Sequence, residues 1–242
     1  MFEAYKNFAQ TYNLSRDSFI LTNGCENAVR IIFEALRPKY AYIENPSWGL
    51  VEVLTNGLLY PRPEETPEEK RIFLVDYEFK NEKFVLGDYP LKLPQENSLF
   101  YVFEHEVLQD RNEYAKYTIV DETYSAKILR DSNREIPENV FVIGSYSKFC
   151  GAGIRLGYIL YNPKWNNLMQ LLREECISKL AEKYTSIHMP EIHLPEFDGD
   201  FVCKSNNYVI VKADSYTGDK RRINREFEVS GIKFYKLGLS LK

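Results

Sequence analysis

At 242 residues, 44% hydrophobic and 27% charged, the chain is long enough to bury a core as one large domain, or as a large and a small one. A net charge of −4, with Lys and Arg scattered rather than blocked, gives no electrostatic reason to expect nucleic acid or a membrane surface as partner. Four distant cysteines (Cys25, Cys150, Cys176, Cys203) and three histidines (His105, His188, His193) show no zinc-ligand spacing. The opening MFEAYKNFAQ has no apolar signal core and no run approaches the roughly 20 residues of a membrane span, so a cytoplasmic protein with free thiols is expected.

In chain order, short β-branched or aromatic runs predict strands at 19–21, 40–43, 71–75, 99–103, 117–120, 140–143 and 156–161. Several lack strict alternation, as strands buried on both faces of a largely parallel sheet do. Between the first two, Ala28, Val29, Ile32, Phe33 and Leu36 recur at helical spacing and stop before Pro38, which predicts a helix over 26–36. Trp165, Leu168, Leu172, Cys176 and Leu180 recur every three or four residues and predict one long amphipathic helix over 162–184. A proline-containing loop follows over 185–199, then a strand at 208–213, a helix at about 219–229 closed by Gly231, and a final strand. The expected fold class is α/β: a mostly parallel central sheet with flanking helices over 1–165, then a linking helix and a small α+β domain over 166–242.

Three patterns sit at predicted strand ends, where an open α/β sheet binds ligands. The first is Thr22-Asn23-Gly24-Cys25-Glu26-Asn27, between a strand and a helix. Gly24 is either a plain turn or a place where the backbone approaches a ligand, with helix N–H groups that favour an anion. The second is Ile119-Val120-Asp121-Glu122-Thr123-Tyr124, in which Asp121 either caps a helix or faces a bound ring, with Tyr124 three residues on. The third is Gly144-Ser145-Tyr146-Ser147-Lys148, followed by Gly151-Ala152-Gly153-Ile154-Arg155. Hydroxyls and a guanidinium suit a phosphate, and a strand-end lysine is either solvated or able to form an imine.

Taken in this order, the motifs resemble those of fold-type I pyridoxal-phosphate enzymes, most closely the histidinol-phosphate branch of the class I/II aminotransferases. LTNGCENAV resembles the phosphate loop and YIENPSWGLVEV the segment whose aromatic stacks on the cofactor. TIVDETYSAKI resembles the aspartate–tyrosine strand, and SYSKFCGAGIRLGYIL the lysine motif. The resemblance implies a pyridoxal 5'-phosphate cofactor held as a Schiff base on Lys148, with Asp121 protonating its ring nitrogen and Tyr124 donating to its phenolic oxygen. It implies ring stacking by Trp48, and phosphate contacts from Gly24, the N–H groups of Cys25 and Glu26, Ser145, Ser147 and Arg155. It further implies a small amino-acid substrate and a homodimer with the site at its two-fold interface.

Four departures accompany the resemblance. The chain begins close to the first motif, so the family's N-terminal arm is expected to be missing. The family's asparagine–proline-rich turn is replaced by Glu104, His105 and Glu106, with His105 either substituting for the asparagine or solvated. The interval from Lys148 to Arg155 is one residue short. In place of the family's carboxylate-binding arginine stands the segment Lys236 to Leu241, with Gly238 at the natural match; Lys236 or one of Arg221, Arg222 and Arg225 compensates, unless those three form a solvated helix face. Three readings follow: an aminotransferase, a decarboxylase of the threonine-phosphate type on the same cofactor site, or a non-catalytic remnant of the fold.

Overall fold

The computed structural model describes residues 2–45, 49–59, 72–81, 83–86, 98–103, 115–151, 153–173, 177–189, 198–204 and 208–238. An eight-stranded sheet forms the body of the molecule. It contains β1 (Phe19–Thr22), β2 (Tyr40–Asn45), β3 (Ile72–Lys80), β4 (Lys83–Leu86), β5 (Ser98–Phe103), β6 (Tyr117–Asp121), β7 (Val140–Ser145) and β8 (Gly157–Tyr161). The spatial order is β1-β8-β7-β6-β5-β2-β3-β4. From β3 through β2, β5 and β6 to β7 every pairing is parallel. β8 runs antiparallel to both β7 and β1, which leaves β1 pointing the same way as the parallel set. The strand burial explains the missing alternation: β1 and β8 are buried at every position.

Helices cover both faces. α2 (Cys25–Leu36) buries Ala28, Val29, Ile31, Ile32 and Phe33, and ends at Arg37 in the left-handed conformation, whose N–H reaches Phe33 O at 2.8 Å. It packs with α3 (Gly49–Leu59) against one core. The opposite core is built on α1 (Phe2–Tyr12), which the sequence patterning had not marked. Ala4, Phe8 and Tyr12 on α1 are buried, and the Tyr5 and Phe8 rings lie 5.5 and 5.3 Å from Phe19. Each fully buried aromatic of this kind stabilises by about 2–3 kcal/mol. Arg134 ties the C-terminal end of α1 to α4 (Lys127–Arg130), donating to the carbonyls of Tyr12 and Ile128 at 2.9 Å each.

Two expectations are corrected. Residues 162–184 do not form one linking helix: a 3-10 turn at Pro163–Trp165 leads into α5 (Asn166–Leu172), and α6 (Lys179–Tyr184) starts separately. Arg173 is extended, and Ser178 caps α6 by accepting from Ala181 N at 3.0 Å. The buried anchors are Met169 and Ala181, whereas Leu171 and Leu180 are exposed. Residues 219–229 are likewise not a helix. They form a 3-10 turn and β11 (Ile223–Val229), in which Phe227 and Val229 alternate with Glu226 and Glu228 after a register shift between Ile223 and Arg225. Ser230 and Gly231, both at positive φ, make the two-residue hairpin turn into β12 (Ile232–Gly238). With β9 (Phe201–Lys204) and β10 (Tyr208–Lys212), these strands form an antiparallel sheet ordered β11-β12-β10-β9. Among the described residues, this second sheet carries no α-helix of its own. It meets the large sheet at Phe79, whose ring lies 5.1 Å from Phe234 and whose N–H donates to Ser230 Oγ at 3.1 Å. No helix among the described residues is long and apolar enough to cross a membrane.

Buried phenols make the fold sensitive to alkali. Burial pushes Tyr42 up to about 12 and raises Tyr12, Tyr146, Tyr158 and Tyr161 above the ordinary phenol value. The fold therefore keeps protons that the unfolded chain releases, so stability is fully present below pH about 10 and falls above it. Each such phenol contributes a slope of up to about 1.4 kcal/mol per pH unit. The urea midpoint is expected to be flat between pH 8 and 9.5 and to drop steeply between 10 and 12. A midpoint unchanged at pH 11 contradicts the burial of these phenols.

Candidate active site

The strand register gathers the sequence motifs at one edge of the sheet. Thr22 ends β1, Asp121 ends β6 and Ser145 ends β7, while Gly157 opens β8 between Thr22 and Ser145. This is the carboxyl edge of the parallel strands, the place where such sheets bind ligands.

Gly24 has φ of 89°, a conformation that L side chains rarely adopt, and α2 begins at the next residue. The Arg155 guanidinium packs over it: a Cβ built at Gly24 would lie 3.7 Å from Arg155 Cζ. The first bond of α2 runs from Ala28 N to Gly24 O, so the N–H groups of Cys25 and Glu26 precede the helical ladder. An open backbone, a helix start and a guanidinium thus share one corner, and these donors suit a phosphate. Glu26 turns to pair with Arg30 at 3.0 Å. The Cys25 thiol lies 2.8 Å from Thr123 Oγ1. Burial pushes that thiol well above its usual value; the Asp121 charge adds to the rise, and the Lys148 charge opposes it. Asp121 and Lys148 therefore act on the same point.

Asp121 is buried, and Thr123 N donates to its Oδ1 at 2.9 Å, which fixes the carboxylate. Tyr124 is half-buried beside the apolar cluster of the small sheet, which contains Ile210, Val229 and Phe234. Lys148 ends the 3-10 turn Tyr146–Lys148 and is exposed, with its Nζ 5.2 Å from the centre of the Tyr124 ring. Lys236 of β12 comes to the same ring from the small sheet, Nζ at 5.4 Å. Two ammonium groups thus flank one phenol, an arrangement that an aromatic face favours.

The serines divide. Ser145 is buried and accepts from Ser147 N at 3.1 Å, so it caps the lysine turn, and its own hydroxyl reaches Ser147 Oγ at 3.0 Å. Ser147 is more exposed. Arg221 is held by Asp219 at 2.7 Å, and Arg225 lies exposed on β11. Of the four candidate cations, Lys236 is tied to Tyr124 by an aromatic contact. Trp48 and the segment with Glu104, His105 and Glu106 lie outside the described residues.

Sequence patterning passed over Glu122. Its buried carboxylate accepts from Ile128 N at 2.6 Å, from Leu129 N at 3.0 Å and from the Tyr158 hydroxyl at 2.8 Å, which fixes the end of β6 against α4 and β8. Burial, reinforced by the Glu122 charge, holds the Tyr158 phenol protonated well above its usual range. Gly144 admits the crossing, because a Cβ there would lie 2.1 Å from the Tyr158 oxygen. A second acid directly after a strand-end aspartate was the available signal.

No family model matches the sequence, and no curated protein matches it. Solved structures do match. The histidinol-phosphate aminotransferase from Clostridium acetobutylicum aligns with a TM-score of 0.63 at 13% identity, over 99% of this chain and 84% of that one. L-threonine-O-3-phosphate decarboxylase from Porphyromonas gingivalis gives 0.59 at 13% identity, over 98% and 83%. The histidinol-phosphate aminotransferase from Sinorhizobium meliloti, in complex with pyridoxal-5'-phosphate, gives 0.53 at 14% identity, over 76% of this chain and 53% of that one. The chain thus spans about half the length of some of these proteins and about five sixths of others. At this identity the likeness is one of architecture: the chain has the fold of the fold-type I pyridoxal-phosphate-dependent aminotransferases.

Proposed function

We propose that this protein is a pyridoxal 5'-phosphate-dependent enzyme that moves the amino group of an amino acid or amino-acid phosphate, with Lys148 as the amine that holds the cofactor. The observation that carries the proposal is the convergence of Lys148, Tyr124 and Lys236 at the sheet edge that also bears Asp121 and the Gly24–Arg155 corner. When bound, the cofactor supplies an electron sink for the charge developing at the substrate Cα. Asp121, fixed by Thr123 N, keeps the ring nitrogen protonated. Tyr124 donates to the phenolic oxygen. Ser147, Arg155 and the N–H groups of Cys25 and Glu26 hold the phosphate. Lys148 would hold the cofactor through its amine and would be the group that moves the proton at the substrate Cα.

Lys236 takes the substrate's anionic group. A lysine offers a point charge where a guanidinium offers a fork, so the carboxylate is held less rigidly. Replacing Lys236 with Met is expected to raise KM about tenfold or more with a smaller change in kcat, the loss of one charge-assisted hydrogen bond made equally in ground and transition states. An unchanged KM removes Lys236 from substrate binding.

Decarboxylation is the second reading. It is favoured by the fold shared with the threonine-phosphate decarboxylase and by Lys236, an ammonium and not a guanidinium fork, beside Tyr124. A homodimer, with the site at its two-fold interface, belongs to the proposal by analogy of fold. The test is direct. Protein incubated with pyridoxal 5'-phosphate is expected to turn yellow, and borohydride to fix the cofactor on Lys148. Adding amino acids then separates the readings: conversion to the pyridoxamine form supports amino transfer, and released carbon dioxide supports decarboxylation. A protein that stays colourless overturns both and leaves a remnant of the fold.

A further inference from the structure

Tyr146 sits two residues before Lys148 in the same 3-10 turn, yet it points the other way, fully buried against α1. Its hydroxyl lies 2.8 Å from the Tyr12 hydroxyl and donates to Ile187 O at 3.1 Å. The Tyr12 hydroxyl accepts from Met189 N at 2.8 Å. The Tyr12 hydroxyl also lies 3.3 Å from Ile187 O, so one phenol gives its proton to that carbonyl while the other's proton bridges the two oxygens. The result is a closed network of two phenols between the Met189 amide and the Ile187 carbonyl, in which each hydroxyl has a partner.

The network closes on the segment after α6, so three stretches distant in sequence meet behind the lysine turn: α1, residues 146–148 and residues 187–189. Tyr146 is also held through its backbone, its N–H donating to Leu156 O at 2.9 Å and its carbonyl accepting from Phe149 N and Cys150 N at 3.0 and 2.8 Å. The turn therefore pivots on Tyr146. On its outer side Lys148 has only the Tyr124 ring for company among the contacts described, and a side chain of four methylenes cannot keep one direction unaided. Burial raises both phenols, so both stay protonated and the network persists across the neutral range.

We propose that Tyr146 is a positioning residue for Lys148: its relay with Tyr12 fixes the 3-10 turn from behind and so aims the Lys148 amine at the cofactor carbonyl. The proposal rests on the reading of Lys148 given above. It adds that the aim is set from α1 and the segment following α6, and not by the site alone.

The test compares wild type with Tyr146→Phe and with Tyr12→Phe. Each variant keeps the ring and removes one hydroxyl. Each protein is treated with pyridoxal 5'-phosphate and borohydride, and the label on Lys148 is measured by mass spectrometry relative to the exposed Lys127 and Lys164. Hydrogen exchange at Phe149 and Cys150 is followed in parallel without cofactor. Both variants are expected to lose roughly threefold or more of the preference for Lys148 and to exchange faster in the turn. A preference kept in Tyr146→Phe, even with a lower melting temperature, overturns the positioning role and leaves a purely structural contact. A wild type with no preference for Lys148 fails at the earlier step and overturns the cofactor reading along with this one. Should Tyr146→Phe not fold, Tyr12→Phe removes the same relay from the other side, and an unchanged preference there overturns the proposal equally.

Discussion

Lys148→Ala is expected to abolish borohydride-fixed labelling at the site and to lower turnover by on the order of 10^3-fold or more, the loss of a covalent anchor and a proton carrier together. The fold should not notice. Lys148 is exposed at the end of a 3-10 turn, and the turn itself is held by Tyr146 and Ser145. The melting temperature is therefore expected to stay within the small change usual for surface substitutions. Non-covalent uptake of the cofactor should fall only moderately, because Asp121, Ser147, Arg155 and the start of α2 are untouched. The sharp point is where any residual label goes. Lys236 Nζ stands 5.4 Å from the Tyr124 ring, nearly as close as Lys148 at 5.2 Å, so it is the amine at which residual label is to be sought. Peptide mapping of the labelled variant decides: no label, or a trace on Lys236, agrees with Lys148 as the anchor. Stoichiometric label on Lys236 with turnover retained would transfer the role to Lys236 and sink the assignment.

The parts of the molecule legible in the sequence are those that a local signal controls. Strands such as 117–121 and 157–161 announce themselves by β-branched and aromatic runs, and α2 by its spacing and by the proline after it. The failures share a physical cause. In 162–184, apolar residues continued at helical intervals across a break, but Leu180 is exposed and the burial is done by Met169 and Ala181, so the pattern reported composition and not contact. In 219–229, charged residues with good helix propensity masked a two-residue alternation, and the Ser230–Gly231 turn, read as a helix stop, is a hairpin turn that imposes strand on both sides. α1 went unmarked because its stripe is Tyr5, Phe8 and Tyr12, aromatics whose partners Phe19, Tyr146 and Tyr158 are contributed by β1, the lysine turn and β8.

For the candidate site, each motif was visible by itself, but its meaning came from resemblance and not from spacing. The proximity of Lys148 to Tyr124 depends on β6 and β7 being neighbours, which no local pattern states. The approach of Lys236 depends on a second sheet docking through Phe79 and Phe234, a contact 155 residues apart in sequence (234 − 79). Long-range pairings of this sort are set by the whole core, and a single sequence carries them only diffusely.

Gly157→Ala is expected to damage stability and cofactor binding together, and this coupling distinguishes it from an ordinary core substitution. Gly157 opens β8 and is paired on one side with Thr22 and on the other with Ser145, so its backbone is clamped between the phosphate corner and the lysine turn. A Cβ there would stand 2.7 Å from Thr22 Oγ1 and 2.8 Å from both Gly24 C and Gly24 Cα. Two of those three atoms are backbone and cannot rotate away. Thr22 is no freer, since its hydroxyl donates to Gly24 O at 3.0 Å and stiffens the same turn. Relief must come from shifting β8 or from pushing the Gly24 turn outward, and overpacking of this kind costs about 1–3 kcal/mol. An outward shift moves Gly24 against the Arg155 guanidinium and turns the first N–H groups of α2 away from the phosphate position. Affinity for pyridoxal 5'-phosphate, read by absorbance titration, should fall by tenfold or more, a loss corresponding to about 1.4 kcal/mol. Gly153→Ala is the control: it lies in the same glycine-rich stretch, yet a Cβ there meets nothing within 4 Å, and both melting temperature and affinity should match wild type. If Gly157→Ala loses stability but binds the cofactor as wild type does, the phosphate is held elsewhere, and the corner formed by Gly24, Arg155 and the start of α2 loses its assigned role.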